Sequence, residues 1–157
     1  MKYTIYILGF VFALFSYGCH SKNELGLNEG ASIDNLGDLP ENPLLLNAIT
    51  SAVDPKDSIM AVLYGNDLAF DHLASNAASE YPSGAILYEV TWQLEADEQW
   101  FGANTPHKVK TIERIEFGEN NAIEYQLFKG HILQNSGPVE PSKRIAVILG
   151  QRIAVSP

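Results

Sequence analysis

A single cysteine and a shortage of basic groups set the first limits: ten Lys plus Arg stand against nineteen Asp plus Glu in 157 residues. One cysteine excludes an intrachain disulfide framework, any all-cysteine zinc site and the Cys-x-x-Cys-His element of c-type haem attachment. A formal charge of −9 argues against a phosphate-tracking surface, because nucleic-acid affinity rests on clustered Lys and Arg. The only close basic pairs are Lys108/Lys110 and Lys143/Arg144, so no nucleic-acid partner is expected. There is no glycine-rich phosphate loop, and Ser83 sits in Pro-Ser-Gly rather than in a Gly-x-Ser-x-Gly elbow, which reads as a turn. No internal repeat or low-complexity tract is present. The length suits one ordinary domain, and no catalytic group is assigned.

The N-terminus carries the first positive signal. Lys2 precedes an uncharged stretch from Tyr3 to Gly18 whose centre, Ile5 to Phe15, is almost wholly apolar. That pattern matches the apolar region of a signal peptide better than a full membrane span. It ends in Ser16-Tyr17-Gly18-Cys19, which resembles the lipobox of bacterial lipoproteins, where the cysteine is lipidated and becomes the new N-terminus. Ser16 stands where Leu is usual. The other readings are an ordinary secretory peptide with an incidental cysteine and an uncleaved anchor. The expected organisation is a signal peptide over 1–18, lipidation at Cys19, a flexible polar tether over 20–41 and a folded domain over 42–157. Removing Lys2 leaves nine basic against nineteen acidic residues, a net charge of −10. Membrane residence at the cell envelope, on the periplasmic or outer-membrane side, would then depend on the lipid and not on a basic patch.

Within the domain, residues 43–53 suit helix or strand, but Asp54-Pro55-Lys56-Asp57 is a strong turn signal, and Ser58 to Tyr64 is short and apolar. This reads as a hairpin. Asn66 is a candidate N-cap, Asp67 favours the positive helix end, and Ala69, Leu73 and Ala77 share one face, so a helix is predicted over 67–79. Residues 85–94 read as a strand with Ile86, Tyr88, Val90 and Trp92 on one side and Glu89, Thr91 and Gln93 on the other. Alternation over 108–117 and 122–129 around Gly118-Glu119-Asn120-Asn121 gives the clearest hairpin. Residues 144–150 are a last apolar segment, strand or buried helix. The fold class is α+β: a single domain, mainly antiparallel sheet, with one or two helices packed on it.

Four blocks, LYGND at 63–67, YPSGAILYEVTW at 81–92, WFGAN at 100–104 and ILGQR at 148–152, resemble the cytochrome P-460 family domain in the family's order. The resemblance implies a periplasmic relative of proteins that bind a c-type haem through Cys-x-x-Cys-His, cross-link it to a lysine and oxidise hydroxylamine. This chain departs at the decisive point, since its one cysteine is Cys19. The resemblance therefore carries the fold without the covalent haem.

The remaining chemistry-bearing residues are weighed singly. His72, His107 and His131 are the weak candidates for holding a non-covalent haem, and they lack metal-ligand spacing; surface or capping positions suit them better. The acids Glu95, Asp97 and Glu98 lack the glycine and terminal bidentate acid of a calcium loop. No metal and no resident cofactor are expected. The aromatic residues Tyr64, Tyr88, Trp92, Trp100 and Phe101 concentrate around the four family-like blocks and read first as core packing; if a pocket exists, Tyr64, Asn66, Asp67, Trp92, Trp100 and Asn104 lie beside it. The leading functional expectation is an envelope lipoprotein without covalent haem that binds a small ligand. The alternatives are an oxidoreductase with non-covalent haem acting on a small nitrogen compound, and a module that meets another envelope protein.

Overall fold

The computed structural model describes residues 28–75, 80–97, 100–130, 132–137 and 140–154. Six strands form one antiparallel sheet in chain order: β1 (Asn47–Asp54), β2 (Ile59–Gly65), β3 (Ile86–Ala96), β4 (Asn104–Phe117), β5 (Ile123–Lys129) and β6 (Gln134–Asn135). Helix α1 (Asp67–Ala74) joins β2 to β3, and helix α2 (Pro141–Leu149) follows β6. The α+β class with an antiparallel sheet is thus the observed one.

Local chemistry explains these elements. The Asp54 carboxylate accepts from the amide of Lys56 at 2.9 Å, closing the β1–β2 turn as an Asp does at the first turn position. Asn66 caps α1: its Oδ1 accepts from the Ala69 amide at 3.1 Å, supplying a partner that the first helical turn lacks. The segment left open between strand and helix at the C-terminal end is a helix. Pro141 starts it, and Arg144, Ile145, Ile148 and Leu149 fall on one face, the spacing of an amphipathic helix and not of a strand.

Both faces of the sheet are covered. On one, Leu63, Leu87, Ile115 and Phe117 pack with Ala69 of α1 and Ile148 of α2. On the other, Tyr88, Val90, Trp92, Ile112 and Phe128 are buried under Ile33, Leu39 and Leu133. The second cluster corrects the domain boundary: residues 28–41, expected to be a flexible tether, are part of the fold. Ala31, Ile33, Leu36 and Leu39 all reach this core. The segment is pinned where Trp92 Nε1 donates to the Ala31 carbonyl at 2.9 Å, and where Asp38 accepts from the Asn135 amide at 3.1 Å. Its apolar residues follow neither a strand nor a helix period because it crosses the sheet as irregular chain with one 3-10 turn, Glu29–Ala31. Residues 20–27 of the expected tether, together with the expected signal peptide and Cys19, lie outside the described residues.

Candidate functional site

The residues expected beside a pocket do not meet. Trp92 is buried in the core with its indole nitrogen committed to Ala31. Tyr64 packs partly buried against the same core. Asn66 is spent locally: its amide nitrogen donates to the Gly84 carbonyl at 2.8 Å and its oxygen also accepts from the Ile86 amide at 3.1 Å. Asp67 is exposed and accepts from Asn47 at 2.8 Å. Trp100 lies in the β3–β4 connection and Asn104 opens β4, at the opposite end of β3 from Asn66. The nine residue steps from Leu87 to Ala96 span ~30 Å of strand.

Two histidines are described. His72, half-buried on α1, lies 4.3 Å from the Tyr81 ring, which stacks at 4.4 Å on Phe117. His107, on β4, stands 3.6 Å from Glu95 through Nε2. His131 lies outside the described residues. Among the described residues, no group of three or more His, Cys, Asp or Glu side chains is placed to hold a metal ion, and no helix is long and apolar enough to cross a membrane.

The charged cluster that sequence reading missed lies under α2. Glu89 and Glu113 are cross-strand partners on β3 and β4, and each side chain is only 6% exposed. Two like charges side by side on a covered sheet face destabilise it unless compensated. Arg144 of α2 supplies the compensation: Nη2 donates to both carboxylates at 2.5 Å and Nε donates to Glu113 at 2.8 Å. Tyr125 also donates to Glu113, and Gln151 to Glu89. The hydrogen bonds from Arg144 to Glu113, foremost among the causes, raise the guanidinium's pKa further, so the cation is permanent. The cluster is closed on itself and docks α2. Glu89 does lie on the side opposite Tyr88, Val90 and Trp92, and α2 covers that side.

A second network ties the opposite face. Arg114 Nε donates to the Tyr88 hydroxyl at 3.0 Å, the hydroxyl donates to Glu41 at 3.2 Å, and Arg114 also donates to Glu116 at 2.6 Å. Burial pushes the Tyr88 hydroxyl up to about 12, partly offset by Arg114. Burial likewise raises Tyr64, Tyr81 and Tyr125. The unfolded chain therefore releases these protons near 10.0 while the native chain holds them. The contribution of Tyr88 to stability is complete below pH 10 and is lost as pH rises through about 12, and the raised Tyr64, Tyr81 and Tyr125 act in the same direction. A spectrophotometric titration should show the native chain forming fewer tyrosinates than the urea-unfolded chain over that range. Coincident curves would contradict the buried positions.

The open site lies where the N-terminal segment crosses β4. A cleft of ≈ 340 Å³ runs between the Glu29–Ala31 turn and the middle of β4. Ile33, Val109 and Leu133 give it an apolar floor, while Glu29, Asp34 and Lys108 put both signs of charge on its walls. Two β-bulges shape it. Val109 pairs with Trp92, Lys108 with Gln93 and Pro106 with Leu94, which leaves His107 without a partner on β3. A bulge re-aims a side chain that regular pairing would hold on one face, and His107 borders both this cleft and a neighbouring one near Glu95 and Asp97. The close approach needs a glycine: a Cβ on Gly30 would sit 2.8 Å from the His107 carbonyl. Sequence patterning does not register such a site, because it depends on two bulges and on a segment read as tether.

No cysteine stands beyond Cys19, and His107, 52% exposed in its side chain, borders a cleft with charged walls. No protein-family model and no curated protein matches the chain.

Proposed function

We propose that the chain is an exported envelope lipoprotein whose cytochrome P-460-like domain works without haem, as a non-enzymatic module that binds a small zwitterionic ligand in the His107 cleft. The observation that carries this reading is the cleft's make-up: carboxylates at Glu29 and Asp34, an ammonium at Lys108, and an apolar floor in ≈ 340 Å³. That volume is at the small end of the ~300–1,000 Å³ range of ligand sites, the size of an amino acid or a short peptide. A ligand with one cationic and one anionic group satisfies walls of both signs.

Two further features support it. The buried acids Glu89 and Glu113 are consumed by Arg144, Tyr125 and Gln151, so this carboxylate pair serves packing rather than acid–base chemistry. Three of the family-like blocks also converge, since Leu63, Ala85, Leu87 and Ile148 share one cluster and Gln151 bonds Glu89. The blocks thus act as packing elements, consistent with a fold kept without its cofactor.

Expression with haem supplied tests the haem-free part of the reading. The purified chain is expected to be colourless. A Soret band that survives gel filtration and disappears in His107→Ala would overturn it in favour of the oxidoreductase reading.

A further inference from the structure

The β3–β4 connection presents the most exposed aromatic pair among the described residues. Trp100 is 71% exposed and Phe101 is 108% exposed, whereas the other tryptophan, Trp92, is buried. Large aromatic side chains lose most by staying in water, and these two stand open among the described residues. Their presentation is built: the Asp97 amide donates to the Ala103 carbonyl at 2.9 Å, the Trp100 amide donates to the Asp97 carboxylate at 3.0 Å, and the Ala103 amide donates to the Trp100 carbonyl at 3.0 Å. Gly102 has φ +83°, the value the third position of a type II turn requires. Phe101 therefore stands at the corner of a closed turn whose backbone is fixed, with its ring in solvent.

The N-terminal segment joins the fold beside this tip. Asn28 donates to the Pro106 carbonyl at 2.5 Å and shares a cleft with Glu95, Asp97 and Thr105 at the same end of the hairpin. On the reading that Cys19 carries lipid, nine residue steps separate the anchor from Asn28, a reach of at most ~30 Å. The end of the domain that holds Trp100 and Phe101 is then the end kept next to the bilayer.

We propose that the Trp100–Phe101 turn is a membrane-contacting tip that beds its two aromatic side chains into the headgroup interface of the bilayer beside the lipid anchor. Trp suits that depth, with an apolar body and one polar N–H. The contact is hydrophobic and not electrostatic: Glu95 and Asp97 flank the tip and the mature chain is strongly acidic, so neutral lipid is the surface it fits and anionic lipid repels it. This inference rests on the lipoprotein reading but can fail independently of it.

The test uses the full lipidated chain in phosphatidylcholine vesicles, with and without brominated acyl chains. Trp100 emission is expected to shift to the blue, to be quenched by brominated lipid and to become several-fold less accessible to iodide than in the detergent-free Cys19→Ser protein. Trp100→Phe should remove these changes, leaving only the buried Trp92 signal. A chain that is lipidated and vesicle-bound while Trp100 stays open to iodide overturns the membrane tip and leaves the anchor standing. Absence of fatty-acid labelling at Cys19 overturns both. Shielding of Trp100 in native envelope membranes but not in pure lipid vesicles would assign the tip to a protein partner and contradict the proposal.

Discussion

Arg144→Met is expected to cost about 3 kcal/mol of stability, or roughly 10 °C in Tm. The substitution keeps the apolar stem and removes the cation between Glu89 and Glu113, two carboxylates that are cross-strand neighbours and 6% exposed. Breaking a buried ion pair from one side costs ~3–5 kcal/mol, because the charge left behind is neither solvated nor compensated. The lower end applies here since Arg144 is itself 38% exposed, which lets water reach the vacated position. Adding Glu113→Gln should restore part of the loss by removing the like-charge repulsion. Urea unfolding of the three proteins checks this. An Arg144→Met chain within ~0.5 kcal/mol of the wild type would show that α2 docks through its apolar face alone.

A larger effect is expected from deleting the residues before Asn42. The deletion removes Ile33 and Leu39, each contributing ~1.5–3 kcal/mol by burial. It also uncovers one side of Tyr88, Val90, Trp92, Ile112 and Phe128. Trp92 loses its acceptor at Ala31 and Tyr88 loses Glu41. Total stability of a domain this size is ~5–15 kcal/mol, so the truncated chain should lack a cooperative transition, bind a hydrophobic dye and lose near-ultraviolet dichroism. A chain beginning at Asn28 should keep all three native properties. Cooperative unfolding of the shorter chain would mean that the N-terminal segment lies on a core already complete without it.

The contrast between these two regions marks what was legible in the sequence. The hairpins, the Asn66 cap and the central strand were readable because each depends on residues within a few positions: Asp54-Pro55 for a turn, Asn66 for a helix start, alternation from Ile86 to Trp92. Residues 28–41 resemble a tether in sequence because an irregular covering segment has no period to detect. Ile33 and Leu39 become core only through strands that lie far along the chain. The Glu89–Glu113 pair was hidden for a related reason. Alternation assigns Glu89 to the side opposite Tyr88, and only α2, some fifty residues later, makes that side an interior. Aromatic content links the candidate pocket residues in sequence, yet content does not convey distance along a strand. Asn66 and Trp100 mark opposite ends of β3, and the observed cleft instead depends on the His107 bulge.

The central claim is that the cleft between the N-terminal segment and β4 binds a small zwitterion. It is tested most directly by following backbone amide resonances of the chain as alanine and its homologues are added. The account predicts saturable shifts confined to the cleft lining, Glu29, Gly30, Asp34, His107, Lys108 and Gly130 foremost. Those shifts should weaken at least tenfold in apparent affinity, ~1.4 kcal/mol, in Lys108→Glu, which reverses the charge of the Lys108 ammonium on its walls. Shifts that do not saturate, or that centre elsewhere on the fold, would contradict it.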